Sequence, residues 1–309
     1  MEQCLACRHN GIFTVLIVAD PQCENDAQWQ EAERELKTLT TRAKPDLVVI
    51  NGDMETNNRI PKKGFETMIR PLTERNIPFV VVNGNHDPFT DESYRLYRSF
   101  PNNRNILIDE KDACFEKARP MNFCMPVYSH DGKRIVFAIY GMDTGDYANG
   151  GWDGATEKQV AWYRKTADDL RLRAGADIPA LLCCHIAFAE VRRMQVLDGI
   201  AEEIGAVTAK QNDKGLFDAI KEKGDVKLAV FGHSHTINQI GVCDGVVLAY
   251  AGKLSTGSYH NTACRGGRVV TFYEAEPAII KTKWLASLPQ GKDQAEFESE
   301  SCALKGEPI

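Results

Sequence analysis

Six short apolar runs rich in Val and Ile punctuate this chain, at 12–19, 46–50, 79–82, 134–140, 179–184 and 226–231. They are apolar on both faces, which is how strands covered on both sides read. Five of them stop at polar chemistry. The first ends in Asp20-Pro21-Gln22 and the second in Gly52-Asp53. The third ends in Gly84-Asn85-His86-Asp87. The fifth ends in His185, and the sixth in Gly232-His233-Ser234-His235. In open α/β sheets ligands bind beyond the carboxyl ends of the strands. Five strands would therefore deliver two Asp, one Asn and four His to one edge.

Amphipathic stretches separate these runs. Trp29, Ala32, Leu36 and Leu39 predict a helix over 26–43. Phe65, Met68, Ile69 and Leu72 predict another over 64–75, which Pro71 should bend or shorten. Thr156-x-x-Gln159 has the form of a capping box before Val160, Tyr163 and Leu170. A fourth helix is expected over 214–223, with Gly224 as its stop. The opening order β-α-β-α-β argues for parallel strands with crossover helices. Runs at 246–251, 267–273 and 278–284, with little helix between them, are expected to be antiparallel. A mixed α/β fold with two sheets fits this order better than one doubly wound sheet. Residues 286–309 turn polar and read as a surface tail, and 187–213 is long enough to be a lid.

A chain of 309 residues could form one large α/β domain or two small ones. The strand-end residues spread from 20 to 235 yet must meet at one site, so a single domain over 1–285 is expected. The net charge is −6, and the tight basic pairs, such as Lys62-Lys63 and Arg192-Arg193, are isolated from one another in sequence. No nucleic-acid face is expected from such a surface. Residues 12–19 are too few to span a bilayer and lack the flanks of a leader, so no membrane partner and a cytoplasmic location are expected. All ten cysteines read as reduced thiols. Adjacent Cys183 and Cys184 point to opposite strand faces, and Cys4-x-x-Cys7 has no second pair to complete a zinc site. The sequence sets no oligomeric state.

Carboxylate and amide oxygens mixed with imidazoles suit two divalent ions such as Mn, Fe or Zn. One carboxylate can bridge ions roughly 3.5–4 Å apart. A water held between them would lose its proton near neutral pH and attack phosphorus in line. His86 would then protonate the leaving oxygen, and Asp87 would orient His86 or another imidazole. Each piece alone has a bland reading. Asn51-Gly52 and Asn83-Gly84 are hairpin signals, and a single Asp after a strand is commonly a helix cap. Asp143 either lines the site or caps the next segment, and His260 either lines the pocket or is simple loop polarity. Their combination, in order, at five strand ends carries the argument.

With these residues in place the chain resembles the calcineurin-like metallophosphoesterase superfamily. That pattern is D-x-H, G-D-x-x, G-N-H-[DE], a later H, and G-H-x-H. Here the segments read DPQ at 20–22, GDME at 52–55, GNHD at 84–87, His185 and GHSH at 232–235. The resemblance covers residues 12 to about 285. It implies a four-layer α-β-β-α sandwich of two mixed sheets flanked by helices, with a dinuclear metal site. Carried over by position, Asp20, Asp53 and His235 would hold one metal. Asp53, Asn85, His185 and His233 would hold the other, and His86 would be the substrate-facing acid. The implied activity is hydrolysis of a phosphomonoester or phosphodiester, small or exposed, by a metal-bridging hydroxide. A non-catalytic interaction scaffold is the alternative, and a nuclease ranks below both. The stretch 214–235, Gln159-x-x-Trp162 and Ala251-Gly-x-Leu-Ser255 look closest to the intracellular branch similar to purple acid phosphatases. Two positions depart. Gln22 stands where the family has a histidine, as either a weaker ligand or a hydrogen bonder. Thr56 stands where purple enzymes carry the tyrosine that binds Fe(III), so no purple centre is expected.

Overall fold

The computed structural model describes residues 4–54, 56, 60–87, 90–106, 119–202, 208–209 and 213–300. From the N-terminus come β1 (Leu5–Ala6), β2 (Ile12–Val18), α1 (Asp26–Ala43), β3 (Leu47–Asn51), α2 (Lys62–Glu74), β4 (Phe79–Val82) and α3 (Asp91–Arg98). The middle holds β5 (Phe123–Tyr128), β6 (Ile135–Met142), the short hairpin of β7 (Tyr147–Ala148) and β8 (Gly151–Trp152), α4 (Glu157–Ala174) and β9 (Ala180–Cys184). Then follow β10 (Gln195–Asp198), α5 (Leu216–Lys223), β11 (Val226–Phe231), β12 (Ile240–Cys243), β13 (Val246–Tyr250), β14 (Gly266–Tyr273), β15 (Ile280–Ala286) and β16 (Phe297–Glu298).

These strands build two mixed sheets. One has the order β16-β15-β14-β2-β3-β4, the other β1-β5-β6-β9-β11-β13-β12-β10. β2, β3 and β4 are parallel, as the β-α-β-α-β order predicts. β14 runs antiparallel to both β2 and β15. β13 departs from the antiparallel expectation: it is parallel to β11 and antiparallel only to β12. Strand alternation sorts the side chains into layers. Val15 and Ile17 point between the sheets, against Phe137, Ile139, Leu181 and Leu228. Leu16 and Val18 point the other way, onto Trp29, Leu36 and Phe65 of α1 and α2. Leu182 and Ala229 pack under Tyr163 of α4 and Phe217 of α5. The result is a four-layer α-β-β-α sandwich.

Helix ends follow the local signals. Thr156 and Gln159 form the reciprocal capping box of α4, and Gly224 closes α5 at φ 68°. Pro71 does not end α2, which runs on to Glu74 with Pro71 buried. β5 and α3 are among the elements that escaped the pattern. β5 carries Pro126, which argues against a strand with neighbours on both sides. α3 has only eight residues and starts on a Thr90/Ser93 box.

The segment expected as a polar tail joins the fold through β16. Gln294 N–H donates to Trp284 O at 3.0 Å, its side chain donates to Asn238 O at 2.9 Å, and β16 pairs with β15. Residues 301–309 lie outside the described residues, as do 203–207 and 210–212 of the segment expected as a lid. The described part of 187–213 contains β10 and a single 3-10 turn at Ala189–Arg192. Eight described cysteines are free thiols, and Cys114 and Cys302 are outside the described residues. Among the described residues no helix is long and apolar enough to cross a membrane.

α1 and α2 meet where Gly64 lies flat against the indole of Trp29. A Cβ there would collide with the ring. Gly64→Val is expected to lower stability by about 2 kcal/mol through overpacking. Urea unfolding should show this as a lower midpoint with an unchanged slope.

Candidate metal centre

The loops leaving β2 and β3 are paired as they depart from the sheet. Asp20 N–H donates to Gly52 O at 3.0 Å, and Gln22 N–H to Asp53 O at 2.9 Å. This path forces left-handed backbone on non-glycine residues: Asp20 at φ 53°, Gln22 at 40°, Asp53 at 53° and His233 at 69°. Two glycines permit the close approach. A Cβ at Gly84 would collide with the Asp53 carboxylate, and one at Gly52 with the His185 imidazole.

The structure brings the strand-end residues together. Asp53, His185 and His233 offer ligand atoms that all lie within 4.8 Å of one another. Asp20, Asp53 and His235 do the same, so Asp53 belongs to both groups. All five side chains are buried. Asp20, Asp53 and Asn85 come from tips of the six-stranded sheet. His185, His233 and His235 come from tips of the eight-stranded one. The imidazoles are oriented by backbone carbonyls. His185 Nδ1 donates to Asn51 O at 2.8 Å, and His235 Nδ1 donates to Tyr259 O at 2.8 Å. A carbonyl only accepts, so each Nε2 is left to face the carboxylates. His185 Nε2 stands 3.2 Å from Asp53 Oδ2, and His235 Nε2 3.4 Å from Asp20 Oδ1. His233 N–H donates to both Asp20 oxygens, at 3.1 and 3.0 Å.

Burial and charge set the protonation balance. Burial would push the His185 imidazole down, but the Asp53 and Asp20 carboxylates hold it up at about 10. Asp53 is held well below the usual carboxylate range: burial works against this, and the His185 charge overrides it. His233 is pushed down to about 3, by burial and then by the charge on His185.

Gln22 reaches the centre. Its Nε2 donates to Asp53 Oδ2 at 3.0 Å, while its Oε1 is buried with no hydrogen-bond partner. Asn85 Oδ1, His185 Nε2 and His233 Nε2 are likewise buried atoms without a well-aligned hydrogen bond. His86 N–H donates to Asp53 Oδ1 at 2.9 Å, and its Nδ1 meets Thr56 O at 3.0 Å, which leaves Nε2 as the outer end of a half-buried ring. Asp87 does not orient an imidazole. Its carboxylate accepts from Met54 N–H at 3.0 Å and Gly84 N–H at 3.2 Å, tying together the loops that carry Asp53 and Asn85. Burial and then the Asp53 charge push Asp87 up to about 8. Asp143 caps the segment that follows it. It accepts from Asn83 Nδ2 at 3.3 Å and Gly145 N–H at 2.9 Å. Gln159, besides capping α4, donates to the Asp143 carbonyl at 2.5 Å. Among the described residues no further metal-type cluster appears, at Cys4-x-x-Cys7 or elsewhere.

Three contributors had no clear signal in the sequence. Asn51 donates to Cys184 O at 3.0 Å and Val230 O at 3.3 Å, joining the two sheets at the site. Its hairpin-like Asn-Gly context concealed that. Lys253 is fully buried and donates from Nζ to Asp20 O at 2.5 Å. Burial brings it down to about 8, against the pull of Asp20. Trp152 sets its ring edge against His233, centroids 4.2 Å apart.

The comparisons agree with this geometry. Residues 13–236 match the family of calcineurin-like phosphoesterases. A curated relative from Arabidopsis thaliana, "Probable inactive purple acid phosphatase 28", is 25% identical over 290 residues, covering 82% of this chain and 72% of its own length. A crystal structure of a dimetal phosphatase from Danio rerio superposes with TM-score 0.57 at 12% identity, over 93% of this chain and 98% of that one. Purple acid phosphatase from yellow lupin seeds superposes with TM-score 0.54 at 13% identity, over 97% of this chain and 57% of that one. The two superpositions show a shared fold, and family and fold together imply a dinuclear metal site. Matched over most of its length, and with the strand-tip residues gathered in one buried cluster, this chain belongs to the calcineurin-like phosphoesterase family.

Proposed function

We propose that this chain is a metal-dependent phosphoesterase that hydrolyses a small or exposed phosphate ester. The observation that carries this reading is that Asn85 Oδ1 and His233 Nε2 are buried without hydrogen-bond partners, beside His185 Nε2 and two buried carboxylates. Buried polar atoms are nearly always paired, so such a group in one place fits a cation. Asp20, Asp53 and His235 would hold one cation, and Asp53, Asn85, His185 and His233 the other. A pair of Mn, Fe or Zn ions held there would supply an activated water and neutralise charge on the phosphoryl oxygens.

The chain's own residues do the rest. Asp53 is oriented by His86 N–H on one oxygen and by Gln22 Nε2 on the other. Asn51 and Tyr259 carbonyls fix the imidazole tautomers that present Nε2 inward. His86 is anchored at Nδ1 by Thr56 O, so its Nε2 can pass a proton to the departing alcohol oxygen. Lys253, below Asp20, offsets part of the carboxylate charge. Monoester and diester hydrolysis would use this same core. Gln22 favours a second reading, an interaction scaffold on the same fold, because an amide oxygen is a weaker ligand than imidazole.

Three substitutions test the assignment. Asp53→Asn should lose cation binding in calorimetry and turnover of p-nitrophenyl phosphate and bis-p-nitrophenyl phosphate with added Mn. An active variant would remove Asp53 from the bridging role. His86→Ala should keep cation binding while kcat falls by about 10²–10⁴; equal loss of both would make the residue structural. Gln22→His should tighten the weaker of two calorimetric binding steps. If the parent protein binds no cation and cleaves neither ester, the scaffold reading replaces the enzyme.

A further inference from the structure

The edge strand β1 covers only the last two residues of its neighbour β5: Leu5 pairs with Val127 and Ala6 with Tyr128. Just before them, Met125 and Pro126 pair with β6 on one side and with no strand on the other among the described residues. Pro126 has no N–H to offer a partner there. The segment that follows α3 belongs to the other sheet. Phe79 N–H of β4 donates to Asn102 O at 3.0 Å, and Arg104 N–H to Phe79 O at 2.8 Å. A cleft of about 540 Å³ lies between this segment and the open end of β5. That volume is in the range of small-molecule sites. Half-buried Leu5, Phe100 and Pro126, buried Met125 and exposed Ile106 give it apolar walls.

Two arginines also line the cleft. Arg98 Nη1 donates to Asn105 O at 3.0 Å, and Arg104 Nη1 to Pro101 O at 3.1 Å. The loop that anchors them is itself held by three asparagines. Asn102 Nδ2 donates to Ile77 O at 2.6 Å, Asn103 Nδ2 to Asn105 Oδ1 at 2.8 Å, and Asn105 Nδ2 to Val81 O at 2.7 Å. Pro101-Asn-Asn-Arg-Asn105 is thus a polar run that keeps two cations still. Arg8, Arg42 and Arg193 each hold a carboxylate, whereas Arg98 and Arg104 meet only backbone carbonyls among the described residues. No Asp or Glu lines the cleft among the described residues, although the chain carries a net charge of −6. A third guanidinium adds to the positive field: Arg173 Nη2 donates to the Tyr128 hydroxyl, another group of the cleft wall, at 3.5 Å.

We propose that this cleft binds an organic carboxylate with an apolar tail. Each guanidinium has committed one nitrogen to the loop and keeps Nη2 without a protein acceptor among the described residues. A carboxylate has an oxygen for each, and arginine suits its planar geometry. The tail would lie against Leu5, Met125 and Pro126. No residue of the cleft belongs to the two ligand groups of the metal centre, so the site would serve an enzyme and a scaffold alike.

Calorimetric titration of the full chain with octanoate, octan-1-ol and butanoate tests this. Octanoate should bind about tenfold more tightly than octan-1-ol, through the charge-assisted bonds. It should bind at least about tenfold more tightly than butanoate, through the longer tail. The octanoate-to-octanol ratio should fall by about threefold or more in Arg98→Gln, and to near one when Arg104→Gln is added. Arg98 is exposed, so Arg98→Gln decides the matter should the double variant not fold. Equal affinity for octanoate and octan-1-ol in the parent protein overturns the assignment, as does an absence of octanoate binding. A carboxylate held at the metal centre instead would keep its affinity in Arg98→Gln, and that result overturns it too. Each of these failures leaves the phosphoesterase reading standing.

Discussion

Asn51 ends β3 in one sheet and donates its side-chain amide to Cys184 O and Val230 O in the other. Its own carbonyl receives the Nδ1–H of His185. Two sheets packed face to face make contact through interdigitated apolar side chains, which form no directional bonds. Directional bonds from this buried amide fix the sheets' offset at the site, alongside those from Arg268 to Tyr250 O and Asn238 O farther along the sheets. Because the candidate ligands are divided between the sheets, that offset decides whether they face each other at all. An apolar residue at this position would leave two buried carbonyls without that donor.

Charge is arranged around the same point. Two buried carboxylates stand within reach of His185 and above Lys253. Asp87, next outward, is pushed toward its neutral form by burial and by Asp53. The protein thus favours negative charge on Asp53, which faces the imidazoles, and disfavours it on Asp87. Cation binding to such a cluster must displace protons, which couples occupancy to pH.

Much of this was legible in the sequence, and the physical reasons differ by element. Doubly covered strands betray themselves as Val/Ile runs, so β2, β3, β4, β9 and β11 were readable, and with them the residues at their tips. α1 and α4 were readable because long helices repeat their apolar spacing and declare their caps. β5 was hidden by Pro126, β12 by its length of four residues, and α3 by its brevity. The integration of residues 286–300 was hidden because it rests on polar contacts such as those of Gln294, which have no periodicity. Asn51 and Lys253 were invisible for a related reason: each acts through a backbone carbonyl distant in sequence, and the identity of a carbonyl's owner leaves no trace in composition. Gln22 was visible as a departure, while its hydrogen bond to Asp53 required coordinates.

Asp20, Gln22, Asp53 and His233 all sit in the left-handed region that L-residues with side chains disfavour by roughly 1 kcal/mol or more each. Glycine would adopt those angles freely. At four places, then, the most comfortable residue for the fold is one that has no ligand atom. Thermodynamic ease and chemical competence are opposed within the same short loops. A chain of this architecture freed from any need to hold a ligand there would gain stability by shedding these side chains. Their presence marks the strand tips as ground where the fold yields to the site.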